Sequence, residues 1–87
     1  VGHVVLVRID DLLWRPMIVV AVHPDGSLTG TIFCDAGDHT RPAFRGWESR
    51  DGARITGRPD RLLPLGYGEL LHFGEGLGQW IPRGVQR

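Results

Sequence analysis

Eighty-seven residues, 41% of them apolar, with a formal net charge of zero, describe one ordinary globular domain. That apolar share argues against global disorder, and the absence of a basic excess argues against a dedicated nucleic-acid binder. The single cysteine, Cys34, excludes an internal disulfide, and no stretch reaches the roughly 18 apolar residues of a membrane-spanning helix.

Two β-branched runs open the chain, residues 4–9 and 14–22, separated by Asp10-Asp11 and punctuated by Arg15-Pro16. They predict two successive antiparallel strands over 4–9 and 13–22. Val5, Val7 and Ile9 share one face of the first strand, and Val4, Leu6 and Arg8 the other. Pro16 cannot donate to a ladder, so it belongs near a strand start, at an edge or at a bulge. Residues 17–22 contain no polar side chain, and the second strand is therefore expected to run through the centre of the core. Pro24-Asp25-Gly26-Ser27 predicts a tight turn, because Pro presets φ and Gly accepts a positive one. A third strand over 28–34 follows, with Leu28, Gly30, Ile32 and Cys34 alternating against Thr29, Thr31 and Phe33. Residues 17–34 thus form a hairpin.

Residues 35–42 read as a polar loop. A short strand over 43–49 carries Phe44 and Trp47, and Asp51-Gly52 turns it into a weak strand over 53–56. Residues 57–64 form a loop in which 61–63 add at most one helical turn before Pro64. Residues 69–73 and 79–81 predict a final strand pair joined by the glycine-rich 74–78, and 83–87 a frayed tail. Five to seven short strands and no helical periodicity predict an all-β fold, a small SH3-like barrel in one domain over 1–87. An OB-like barrel wants longer strands and a helix, for which there is neither room nor pattern. The start lacks the basic end and apolar core of a signal peptide, and Val1 in place of Met fits removal of an initiator Met. The chain is expected to begin at its natural end and to occupy a reducing compartment.

Residues that carry chemistry elsewhere find weak support here. Cys34, Asp35, Asp38 and His39, with His23 and His72 as outliers, match no zinc-ligand spacing. Cys34 followed by His39 suggests a nucleophile pair, but no helix end lowers the thiol pKa, and Cys34 alternates inward with Ile32 as a buried, inert residue. Gly74, Gly76 and Gly78 resemble a phosphate loop without its spacing or its following helix. Ser27 and Ser49 sit in turns. No cofactor, metal or catalytic residue is expected. Aromatic cages on SH3-like barrels bind methylated cations. The opening of this chain, through Trp14-Arg15-Pro16-Met17, loosely resembles a PWWP domain without its adjacent aromatics, so most rings are expected in the core.

Charge is unevenly spread. Residues 1–40 hold two Arg against five Asp, and residues 41–61 hold six Arg against three acids; there is no Lys. An acidic and a basic section suit head-to-tail pairing of copies or docking on a charged partner.

Several motifs in order resemble small tailed-phage and prophage proteins. They are Gly2; Arg15-Pro16-Met17-Ile18-Val19-Val20; Gly30-Thr31-Ile32-Phe33-Cys34-Asp35 with Asp38; and Trp80-Ile81-Pro82. Residues 44–64 have no counterpart in that pattern. The resemblance implies an SH3-like barrel made in a host cytoplasm and carried in the virion. It also implies a non-catalytic role as a capsid decoration or cement protein, or as a minor head-tail component. The partners would be the major capsid protein or other virion proteins, with self-association in a lattice, and no membrane. Arg41, Arg45, Trp47, Arg50 and Arg54 are the candidate partner contacts. The rival reading is an SH3-like module that recognises nucleic acid or a modified peptide.

Overall fold

The computed structural model describes residues 1–58 and 65–84. Among them, seven strands form one antiparallel sheet: β1 (Val4–Asp10), β2 (Leu13–Val22), β3 (Leu28–Phe33), β4 (Arg45–Glu48), β5 (Arg54–Arg58), β6 (Leu65–Leu71) and β7 (Trp80–Pro82). Their order is β4-β5-β6-β3-β2-β1-β7. Two 3-10 turns, Ala36–Thr40 and Pro42–Phe44, link β3 to β4. The fold is all-β, as the sequence predicts, and the sheet curls into a half-barrel.

The two ends of the sheet are drawn together at one corner. Leu70 takes a positive φ of 56° and kinks the end of β6. Its freed N–H donates to Thr29 Oγ1 at 3.3 Å. Beyond the kink the chain turns to β7, where Trp80 N–H donates to His72 O and Gly74 N–H to Trp80 O, both at 3.0 Å. This is a single parallel bridge between Phe73 and Trp80. The expected pairing of 69–73 with 79–81 as a hairpin is therefore corrected. β7 pairs instead with β1, Leu6 opposite Ile81. Strand β6 also begins earlier than its apolar residues suggest, at Leu65.

Alternation sends Val5, Val7, Ile9, Met17, Val19, Ile32, Ile55 and Leu71 to the concave side, where they make the core. Each such side chain contributes on the order of 1.5–3 kcal/mol. Phe44, expected in a strand, lies in a 3-10 turn and plugs the open end of the core. Its ring rests over Gly57 and Gly66, which face each other across β5 and β6. A Cβ on Gly66 would lie 2.1 Å from Phe44 Cε1. The predicted helical turn at 61–63 and the last residues of the predicted tail, 85–87, lie outside the described residues.

Candidate docking surface

The convex side of the sheet is where the molecule departs from an ordinary barrel. Antiparallel sheets that face water usually alternate apolar-in with polar-out. On β2 the outward residues are Pro16, Ile18 and Val20, and all three are exposed. Register extends this apolar strip sideways. Val4 stands opposite Ile18, Ile18 opposite Thr31, and Thr31 opposite Tyr67. Thr56 and Arg45 continue the same row across β5 and β4. A neighbouring row contains Leu6 opposite Pro16 and Phe33 opposite Leu65. On the other flank, Val20 sits at a bulge of β2, and Glu69, Arg54 and Glu48 face one another across β6, β5 and β4. Ile18 and Tyr67 are each 37% exposed and Val20 51%. These side chains together open an apolar area on the order of a few hundred Å², the size of the largest patch on a typical monomer.

The expectation that residues 17–22 run through the centre of the core therefore holds for one face of β2 only. Met17 and Val19 enter the core, while Ile18, Val20 and Val22 do not. One curled layer cannot cover its own outside, and no helix of the described residues packs on it.

The five residues predicted as partner contacts are scattered rather than gathered. Arg41 is engaged inside the molecule, donating from Nη1 to Asp10 Oδ2 at 3.0 Å, with its Nε 3.9 Å from Asp38 Oδ1. Arg54 is tied to Glu69 across β5 and β6. Trp47, predicted as a partner contact, is half-buried against the core. A Cβ on Gly78 would lie 2.2 Å from Trp47 Cη2, so this ring packs β4 against the approach to β7. Arg50 is exposed at the β4–β5 turn. Arg45 is exposed on the outward row and makes no ion pair among the described residues. Of the five, only Arg45 lies in the row that holds Ile18 and Tyr67.

The charge asymmetry of the chain is largely resolved internally. Arg15, from the start of β2, grips Asp38 with two hydrogen bonds of 2.7 and 3.1 Å. The Asp35 amide donates to the same carboxylate at 2.9 Å. Burial pushes the Asp38 carboxyl up, but the Arg15 and Asp35 hydrogen bonds and the Arg15 and Arg41 charges outweigh it and hold its pKa below the ordinary value. The Asp10 pKa is also lowered, by the Asp11 amide first and then by Arg41. Asp38 and Asp10 from the acidic section and Arg41 from the basic one thus form a clasp across the end of the barrel, which removes the basis for head-to-tail pairing through them.

The remaining polar groups among the described residues are engaged locally. Cys34 Sγ lies 4.0 Å from His39 Nε2. Burial, and then the Asp38 charge, push the thiol pKa up, away from a reactive thiolate. No group of three His, Cys, Asp or Glu side chains among the described residues is placed to hold a metal. The glycine amides of the 74–78 loop are spent: Gly76 N–H donates to Gln79 Oε1 at 2.7 Å and Gly78 N–H to Arg8 O at 2.8 Å, beside the Gly74 bond to Trp80. Phe73 and Trp80 meet edge-on at 5.1 Å, while Tyr67 lies on the convex face. Comparison with protein-family models, curated proteins and solved structures finds no match to this chain.

Sequence reasoning misses the convex face because it reads 17–22 only as a core strand. The available signal is the lack of a second layer: an unbroken apolar strand in a sequence without helical periodicity leaves one set of its side chains outside.

Proposed function

We propose that this chain is a non-catalytic contact protein that works by docking its convex β-face on a macromolecular assembly. The observation that carries this reading is the apolar outward set Pro16, Ile18 and Val20 on β2, continued by Tyr67 on β6. Exposed β-branched and aromatic residues favour a strand in any case; gathered on one face, they also suit a docking surface. The motif resemblance to tailed-phage proteins supports a specific setting, a decoration or minor component of the virion with the major capsid protein among its partners. An apolar area of this size gives modest affinity at a single site. On a particle that presents many copies of the site, neighbour contacts multiply it. Strand addition is a less suitable mode. β4 is only four residues long and bulged at Gly46, and the outer side of Trp80 is already bonded to residues 72–74.

The test is co-sedimentation with assembled particles. Wild-type protein is expected to pellet with them, and Val20→Glu to stay in the supernatant. Equal pelleting of the folded variant would overturn the reading. Salt-sensitive DNA or RNA binding that survives Val20→Glu would favour the rival, nucleic-acid module instead.

A further inference from the structure

We infer that Asp51 is a site of spontaneous covalent modification in the folded protein: the Gly52 amide nitrogen closes on its side-chain carboxyl and converts it to isoaspartate, while Asp25 is spared. The inference is independent of the docking face. The chain holds two Asp-Gly pairs, Asp25-Gly26 and Asp51-Gly52. Their turns share one backbone pattern. Over 23–27, His23 N–H donates to Ser27 O and Gly26 N–H to His23 O, both at 2.9 Å. Over 49–53, Ser49 N–H donates to Ala53 O at 2.8 Å and Gly52 N–H to Ser49 O at 3.2 Å. Gly26 and Gly52 take φ of +87° and +86°. Both aspartates are exposed, so accessibility does not separate them.

What separates them is the residue after the glycine. Ser27, fully buried, holds Asp25 Oδ1 with its amide at 2.9 Å and its hydroxyl at 2.6 Å. These bonds turn the carboxylate toward Ser27. They also hold its pKa below the ordinary value, the hydroxyl first and then the amide. Ring closure needs the opposite: a carboxyl free to swing onto the next amide nitrogen, and protonated so that its hydroxyl leaves as water. Ala53 has no hydroxyl, and its amide donates to Ser49 Oγ at 3.1 Å instead. The Asp51 carboxylate makes no hydrogen bond or ion pair among the described residues. Gly52, without a Cβ, leaves its nitrogen open to approach. The bond from Gly52 N to Asp51 Cγ forms, and the amide proton and the carboxyl hydroxyl depart as water, giving a succinimide. Water then adds at the main-chain carbonyl, the bond from that carbonyl to Gly52 N breaks, and the chain continues through Cγ, one carbon longer. The water released is returned, and no other reactant enters.

The test is prolonged incubation of the full chain at neutral pH, in native buffer and in guanidinium chloride, followed by peptide mapping and labelling with an isoaspartyl methyltransferase. In guanidinium chloride both junctions are expected to acquire isoaspartate at comparable rates. In the native protein Asp51 is expected to react and Asp25 to lag by about tenfold or more, since two hydrogen bonds to a charged group must first be given up. Folded Ser27→Ala should bring Asp25 toward the Asp51 rate. Asp51→Glu should abolish the signal at its junction, because glutamate must close a larger ring. Equal native rates at the two junctions overturn the inference. So does a native Asp51 that stays unmodified while the unfolded chain reacts, or an Asp25 rate unchanged in folded Ser27→Ala. The comparison of native with unfolded wild type decides without any variant.

Discussion

Phe44 and Gly66 should behave as one unit in a double-mutant cycle. The Phe44 ring is 6% exposed, and an added Cβ at Gly66 would lie 2.1 Å from Cε1, 3.0 Å from Cζ and 3.1 Å from Cδ1. Gly66→Ala in the wild-type background therefore drives a methyl into the ring and should cost about 2–3 kcal/mol. Phe44→Leu removes the outer ring atoms and leaves a void, costing about 1–2 kcal/mol. In the double variant the introduced methyl enters the space the ring vacated. It also relieves the roughly 0.5–1 kcal/mol disadvantage of glycine within a strand. Adding Gly66→Ala to Phe44→Leu should then be close to neutral, a coupling of about 2 kcal/mol. Urea unfolding followed by tryptophan fluorescence gives the four stabilities, and in a domain this small the coupling corresponds to about 8–16 °C in midpoint temperature. Additive losses would refute the placement of Phe44 over the β5–β6 glycines.

Asp38→Asn should destabilise the protein by about 2–3 kcal/mol near neutral pH, because it leaves the partly buried Arg15 without its carboxylate. The folded pKa of Asp38 lies below its ordinary value. The contribution of the clasp is therefore complete above about pH 4 and is lost as pH falls through the lowered folded value. Urea midpoints of wild type and variant should converge in acid, and parallel curves down to about pH 2 would contradict the assignment. Gly78→Ala combines a φ of +74° with a Cβ 2.2 Å from Trp47 Cη2, and should cost about 2–4 kcal/mol with a shift in tryptophan emission. A neutral outcome would mean that Trp47 does not pack where β4 nears β7. Ile18→Glu and Val20→Glu, at exposed positions, should leave the unfolding midpoint within a few degrees of wild type while changing association. A collapse in stability would instead place these residues in the core.

The elements legible in the sequence are those whose signals are local. The β2–β3 hairpin declares itself through two apolar runs and Pro24-Asp25-Gly26-Ser27, where Asp25 accepts from both the Ser27 amide and its hydroxyl. The start of β6 is hidden because Gly66 and Gly68 give its first half little strand propensity. Those glycines are required by Phe44 and Leu71, whose side chains would occupy the positions of the missing Cβ atoms. The partner of β7 is hidden because its ladder to β1 joins residues from opposite ends of the chain. The arginines mislead for a similar reason. Arg41 finds Asp10 at a separation of 31 residues and Arg54 finds Glu69 at 15, so neither is free. Trp47 reads as exposed because its strand is otherwise polar; Gly78, which makes room for its ring, lies 31 positions later. Arg45 alone of the predicted contacts falls beside the apolar face, at its charged margin.

The most direct test is carbene footprinting, which labels exposed side chains, on free and particle-bound protein. Ile18, Val20 and Tyr67 should be labelled in the free protein and lose label together on the particle, while Arg50 at the far turn keeps its reactivity. Equal labelling of the β2 outer surface in both samples would contradict the account.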